Sequence, residues 1–387
     1  MFSKRLTFNF SCFAGLTVSL AFAVSVQADS FTPGDLVVYR VGSGGSTTLV
    51  NTGSAVFLDE YTPTGTLVQS IAMPTADATG GVHSLIASGT ATSEGMLTLS
   101  PNGNFLTLTG YDAPMGTSGL ASTPSTTVPR TVAIVNASGA VDTSTALTDF
   151  STGNNPRTAT TSDGTSIWVG GGGGGIRYTT IGSTTSTQLT TATNFRDVVI
   201  ASGQLFASDS SGSAIRLSTI GTGLPTSGTQ TATNLPGLPT NTGSPYQFAF
   251  ADLSSAVAGM DTLYVADDTN NTTSILKYSL IGGTWTAEGS ITAAGVRGLT
   301  LSVVGGNVDL YATSGGSGGP SGGGSLYSFV DTTGYGAAMS GSATSIASAS
   351  TNEAFRGVAF APVPEPSTAL TLAGGIAVLQ LLRRRRS

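Results

Sequence analysis

The chain has 387 residues, of which 53 are glycine and only 9% are charged. With the basic residues of its two ends set aside (Lys4, Arg5 and Arg383 to Arg386), nine basic residues face twenty acidic ones, Glu365 not counted. Such an acidic body has no positive field for nucleic acid or anionic lipid. The single cysteine, Cys12, lies in a leader marked for removal, so disulfides and thiol chemistry drop out as well.

In chain order, Lys4 and Arg5 form a basic start and Cys12 to Val24 an apolar run. Val26-Gln27-Ala28 supplies the small residues that signal peptidase requires. Residues 1–28 therefore read as a signal peptide cleaved after Ala28. Cys12 stands at the head of the apolar run rather than behind it, which excludes lipidation. The body, 29–362, then reads as strands with almost no helix. Leu36 to Val41, Ala55 to Tyr61 and Leu67 to Met73 are β-branched or aromatic runs closed by turn residues. Leu97 to Leu99 and Phe105 to Leu108 alternate across Ser100-Pro101-Asn102-Gly103-Asn104, the pattern of a hairpin. A Ser/Thr/Pro loop (Ala113 to Pro129) precedes strands near Thr131 to Asn136 and Gly139 to Thr145.

The second half repeats itself. Pro156-Arg157-Thr158, Phe195-Arg196-Asp197, Val296-Arg297-Gly298 and Phe355-Arg356-Gly357 each open a strand. After the first three come a turn, a second strand, a Gly/Ser loop and a third strand. A copy without arginine, Tyr246 to Ala251, keeps the same order. The unit spans about 40 to 55 residues, the length of a four-stranded propeller blade. The final segment, Phe355 to Pro362, is a first strand without followers, whereas Leu36 to Met73 supplies followers without a first strand. Joined, they complete one blade and remove exposed edges. With further blades at about 94–147, 155–191, 195–232, 246–292 and 296–347, the expectation is an all-β, six-bladed β-propeller, seven blades being the alternative and a β-helix the rival architecture. Leu263-Tyr264-Val265-Ala266-Asp267-Asp268 with Ile275-Leu276-Lys277-Tyr278 resembles the NHL repeat of six-bladed propellers, and Leu205 to Asp209 matches it more loosely. That resemblance implies the fold and no activity.

Candidate chemistry inside the body is sparse. His83 is the only histidine, which rules out a site of several histidines and makes surface placement in a glycine-flanked loop the expected role. Asp267, Asp268 and Asn270 offer hard oxygen ligands for Ca²⁺, but neighbours on a strand face opposite ways, so turn capping is the expected role and no cofactor is called for. Arg157, Arg196, Arg297 and Arg356 hold one position in successive units. They should form a ring that either ties blades together or binds an acidic ligand, for which guanidinium forks suit carboxylates.

The tail, 363–387, carries Val363-Pro364-Glu365-Pro366, then an apolar run from Thr368 to Leu382, then Arg383, Arg384, Arg385 and Arg386. Fifteen helical residues reach about 22 Å, short of a hydrocarbon core of roughly 30 Å, and the arginines should stay cytoplasmic. This order of features resembles the PEP-CTERM sorting signal of exopolysaccharide-making Gram-negative bacteria. The resemblance implies recognition by an exosortase-like membrane protease and transient insertion in the inner membrane, followed by release to the cell surface or extracellular matrix. The expected function is non-enzymatic binding or structure linked to exopolysaccharide or biofilm. The rival is a Ca²⁺-dependent, lactonase-like or other hydrolytic propeller.

Overall fold

The computed structural model describes residues 29–210, 216–269, 274–315 and 322–364. The expected signal peptide with Ala28, the motif residues Glu365 and Pro366, the expected apolar C-terminal helix, the terminal arginines and Asn270 fall outside them. Among the described residues no helix is long and apolar enough to cross a membrane. The chain is all-β, and its one helical element in that set is a 3₁₀ turn at Leu120–Ser122.

Four free-standing sheets of four antiparallel strands follow one another along the chain, starting at Pro156, Phe195, Pro245 and Val296. Each opens with an apolar, β-branched or aromatic strand that meets its neighbours near a common axis. These inner strands touch in a closed cycle that runs Glu353–Phe360, Thr98–Leu99, Pro156–Thr161, Phe195–Ala201, Pro245–Ala251, Val296–Val304 and back. Cores lie between successive sheets. One such core packs Trp168 and Ile176 against Phe195, Val198 and Leu205.

The arrangement is a propeller with four discrete blades, which corrects the expected six. The other strands form one ten-stranded sheet. Its two halves, Glu353–Phe360 with Leu36–Val41, Gly53–Tyr61 and Leu67–Ala72, and Thr98–Leu99 with Phe105–Tyr111, Arg130–Asn136 and Val141–Leu147, each run antiparallel. The short strand Ile86–Ser88 fuses them by pairing with Gly53–Ala55 on one side and Tyr111 on the other. Glycine permits the join, because a Cβ at Gly110 would lie 2.8 Å from the backbone oxygen of Ile86.

The last strand pairs with the first, as the unmatched ends of the body suggested: Leu36 faces Phe360 and Val38 faces Val358. A buried ion pair reinforces the seam. Arg40 donates to Asp59 at 2.5 Å and reaches Glu353 of the final strand at 3.1 Å. Hydroxyls also tie successive sheets near the axis. Ser208 donates to Tyr246 O at 2.7 Å, and Thr107 to Ala159 O at 2.7 Å.

Candidate functional site

Where five of the six inner strands begin, their ladders slip. The register shifts between Pro156 and Thr158, Phe195 and Asp197, Pro245 and Phe248, Val296 and Gly298, and again opposite Tyr39 on the last strand. Each slip is a β-bulge, which re-aims the extra side chain out of the sheet. The residues released in this way are Arg157, Arg196, Tyr246, Arg297 and Arg356. Tyr246 thus takes the arginine's place in the arginine-free copy. Glycine follows two of the arginines because the strands converge there: a Cβ at Gly357 would lie 2.4 Å from Leu97 N.

The four guanidinium groups gather at this mouth of the channel. Tyr246 is clasped between two of them, with Arg196 Cζ 4.2 Å and Arg297 Cζ 4.6 Å from its ring centroid. Arg157 donates to Asn194 Oδ1 at 2.5 Å and Phe195 O at 3.2 Å, both on the next blade. Arg297 pairs with Asp268 Oδ2 through Nη2 at 2.6 Å and Nε at 2.8 Å. Arg356 donates to Gly315 O at 2.7 Å. Even so, Nε of Arg157, Nε and Nη1 of Arg196, Nη1 of Arg297, and Nε and Nη2 of Arg356 are buried without a hydrogen-bond partner among the described residues.

Electrostatics agrees with that crowding. Burial, with help from neighbouring arginines and against the pull of nearby acidic groups such as Glu94 and Asp268, lowers Arg157, Arg196 and Arg356 to about 10. Glu94 is the buried counter-charge, only 2% exposed. It accepts from Tyr111 Oη at 2.6 Å, Asn155 Nδ2 at 2.5 Å and Ser88 N at 3.1 Å. Burial raises its carboxyl above the usual range, against the pull of those bonds and of Arg356.

The opposite mouth differs. Leu99, Val199, Phe250 and Leu301, further along the same inner strands, line a hollow of about 400 Å³. Gln247 closes its floor: Nε2 donates to Leu97 O at 2.8 Å, while Oε1 accepts from Val358 N at 3.2 Å and Leu299 N at 3.3 Å. One side chain thereby joins strands that are distant in sequence. Beside it Asp197 is fully buried, and burial pushes its carboxyl up to about 7 although Thr158 Oγ1 donates to it at 2.8 Å.

The remaining sequence candidates are placed as follows. Asp267 accepts from Ser244 N and Thr269 N, both at 2.9 Å, as a turn cap. Asp268 faces Arg297 instead, so the two carboxylates do not converge on one ion. His83 is not a bare surface residue: its ring lies 3.0 Å from Asp112 and is partly covered. Val363 donates its N–H to Gly103 O at 2.8 Å, which fixes where the chain leaves the body. Sequence reasoning missed Tyr246, Gln247, Asp197 and Glu94. Tyr246 was readable from its place in the repeat, whereas the others act through contacts between distant strands.

No protein-family description and no curated protein matches the chain. Solved structures with a comparable chain course do exist. A provisionally named 6-phosphogluconolactonase of Bacteroides uniformis is 14% identical, with a TM-score of 0.43, over 82% of this chain and 83% of that one. A second protein so named, from Bacteroides fragilis, is 15% identical, with a TM-score of 0.41, over 76% and 78%. A GH74 enzyme of Niastella koreensis is 15% identical, with a TM-score of 0.39, over 79% of this chain and 44% of that one. Likeness this distant transfers no activity.

Proposed function

We propose that the protein is an exported propeller that binds an acidic ligand at its arginine mouth, without catalysis, at the cell surface or in extracellular polymer. The observation that carries this reading is the gathering of four arginines at one end of the inner strands, with Arg196 and Arg297, both partly exposed, on either side of Tyr246 and therefore placed to receive an anion. Carboxylates of an acidic exopolysaccharide have the matching geometry. The PEP-CTERM-like tail supplies the route outward. Ser30 and Val363–Pro364 border one hollow of about 410 Å³. It lies where the inner strands end, so a tail tethered there would leave the arginine mouth facing outward.

The test is titration of the mature protein with polygalacturonate and with neutral dextran. Saturable binding to the acidic polymer alone, weakened by Arg196→Gln with Arg297→Gln, is the expected result. Equal binding to both polymers, or none, removes the reading. Intact mass of the secreted protein separately checks cleavage after Ala28 and near Pro364-Glu365-Pro366. The rival shares a name with two of the neighbours above: turnover of sugar lactones by the purified protein, abolished by a chelator, would make it a lactonase-like enzyme.

A further inference from the structure

A second constellation lies away from the channel. Asp77, His83 and Asp112 come from a loop, a turn and the end of the strand Phe105–Tyr111. Each offers one ligand atom, all within 4.8 Å of one another. Nδ1 of His83 stands 3.0 Å from Asp112 Oδ2. Ser84 orients both carboxylates from behind: its N–H donates to Asp77 Oδ1 and its Oγ to Asp112 Oδ1, each at 3.0 Å. Thr143 Oγ1 accepts the backbone N–H of His83 at 3.2 Å, which holds the imidazole against this pair. A hollow of about 430 Å³, bordered by Asp77, Ser84, Asp112 and Pro114, opens onto the group.

The two carboxylates face each other, and no lysine or arginine among the described residues pairs with either. Such a like-charge contact asks for a shared proton or a cation between the oxygens. The imidazole decides which of the two it is. A proton shared by two carboxyls needs no nitrogen ligand, whereas nitrogen plus two carboxylate oxygens is a donor set for a borderline transition metal. Calcium and magnesium take oxygen alone by preference.

We propose that Asp77, His83 and Asp112 bind one divalent transition-metal ion, zinc by preference, with Ser84 as the outer group that aims both carboxylates. The three protein ligands leave at least one coordination position, which faces the hollow. The site is independent of the arginine mouth.

The mature protein, stripped with chelator and then dialysed, is titrated with ZnCl₂ by calorimetry and with CoCl₂ by visible absorption. One equivalent per chain and a tetrahedral cobalt spectrum are expected. Asp77→Asn, at an exposed position that folding tolerates, and His83→Gln should each weaken uptake by about tenfold or more. Asp142→Asn, an exposed acidic residue outside the group, should leave uptake unchanged. Absence of stoichiometric uptake, or uptake in Asp77→Asn equal to the parent with circular dichroism unchanged, overturns the proposal.

Discussion

The two mouths of the channel are built from the same strands and differ in charge: arginines crowd one, while uncharged side chains dominate the other. At one, the bulges turn arginines and Tyr246 off the ladder and leave several guanidinium N–H groups without a partner among the described residues. At the other the ladders run regularly, and Leu99, Val199, Phe250 and Leu301 share the wall with polar residues such as Thr98, Ser202 and Thr300. Between them sits Gln247. The comparison teaches that in a repeated fold a one-residue slip, set at the same place in five of six inner strands, is enough to convert a packing position into a polar one.

Removing the partition should have the largest effect. Gln247→Leu leaves Leu97 O, Leu299 N and Val358 N without their partner. A loss of about 3–5 kcal/mol in urea unfolding is expected. Next comes the buried carboxyl beside it. The folded chain holds the Asp197 proton up to about pH 7, while the unfolded chain releases it near 3.8. The folded state therefore binds the extra proton between these limits, so stability falls as pH rises through that window and levels off above it. Asp197→Asn should flatten that slope and stabilise the protein at neutral pH, by an amount on the order of 3 kcal/mol. Denaturation midpoints at pH 4, 5.5 and 7.5 would show it, and an unchanged slope would refute it.

At the arginine mouth, Tyr246→Leu removes the ring shared by two guanidinium groups and should cost about 1–2 kcal/mol. It should also weaken polygalacturonate binding without altering the apolar hollow. The smallest change in stability is expected for Asp268→Asn, because its pair with Arg297 is partly exposed: under about 1 kcal/mol. Here ligand binding should move the other way. With Asp268 no longer competing for Arg297, affinity for the acidic polymer should rise, and a fall would mean that Asp268 orients Arg297 for the ligand.

The sequence carried whatever is local or repeated. The hairpin around Ser100 to Asn104, the strand order of the later blades and the unmatched strands at the two ends of the body were all readable, because periodicity and turn residues report them directly. The arginine position was readable too, since its repetition stands out against a chain poor in charge. Ile86–Ser88 was not: three residues with no alternation carry no strand signal, and pairing on both sides made that segment a strand. Gln247 and Asp197 resemble any polar residue in a strand until the cycle closes around them. Asp77, His83 and Asp112 are separated by turns whose path no pattern announces, so a lone histidine read as a solvated one.

The seam between Leu36–Val41 and Glu353–Phe360 carries a consequence for how the molecule is made. Val38 must wait for Val358, more than 300 residues later, before its edge is covered. A chain synthesised from its amino terminus cannot finish the circle until nearly all of it has emerged, and a product truncated before Glu353 would keep an open flank. Completion of the toroid is thus a built-in test of full length, passed only by molecules whose final strand has arrived.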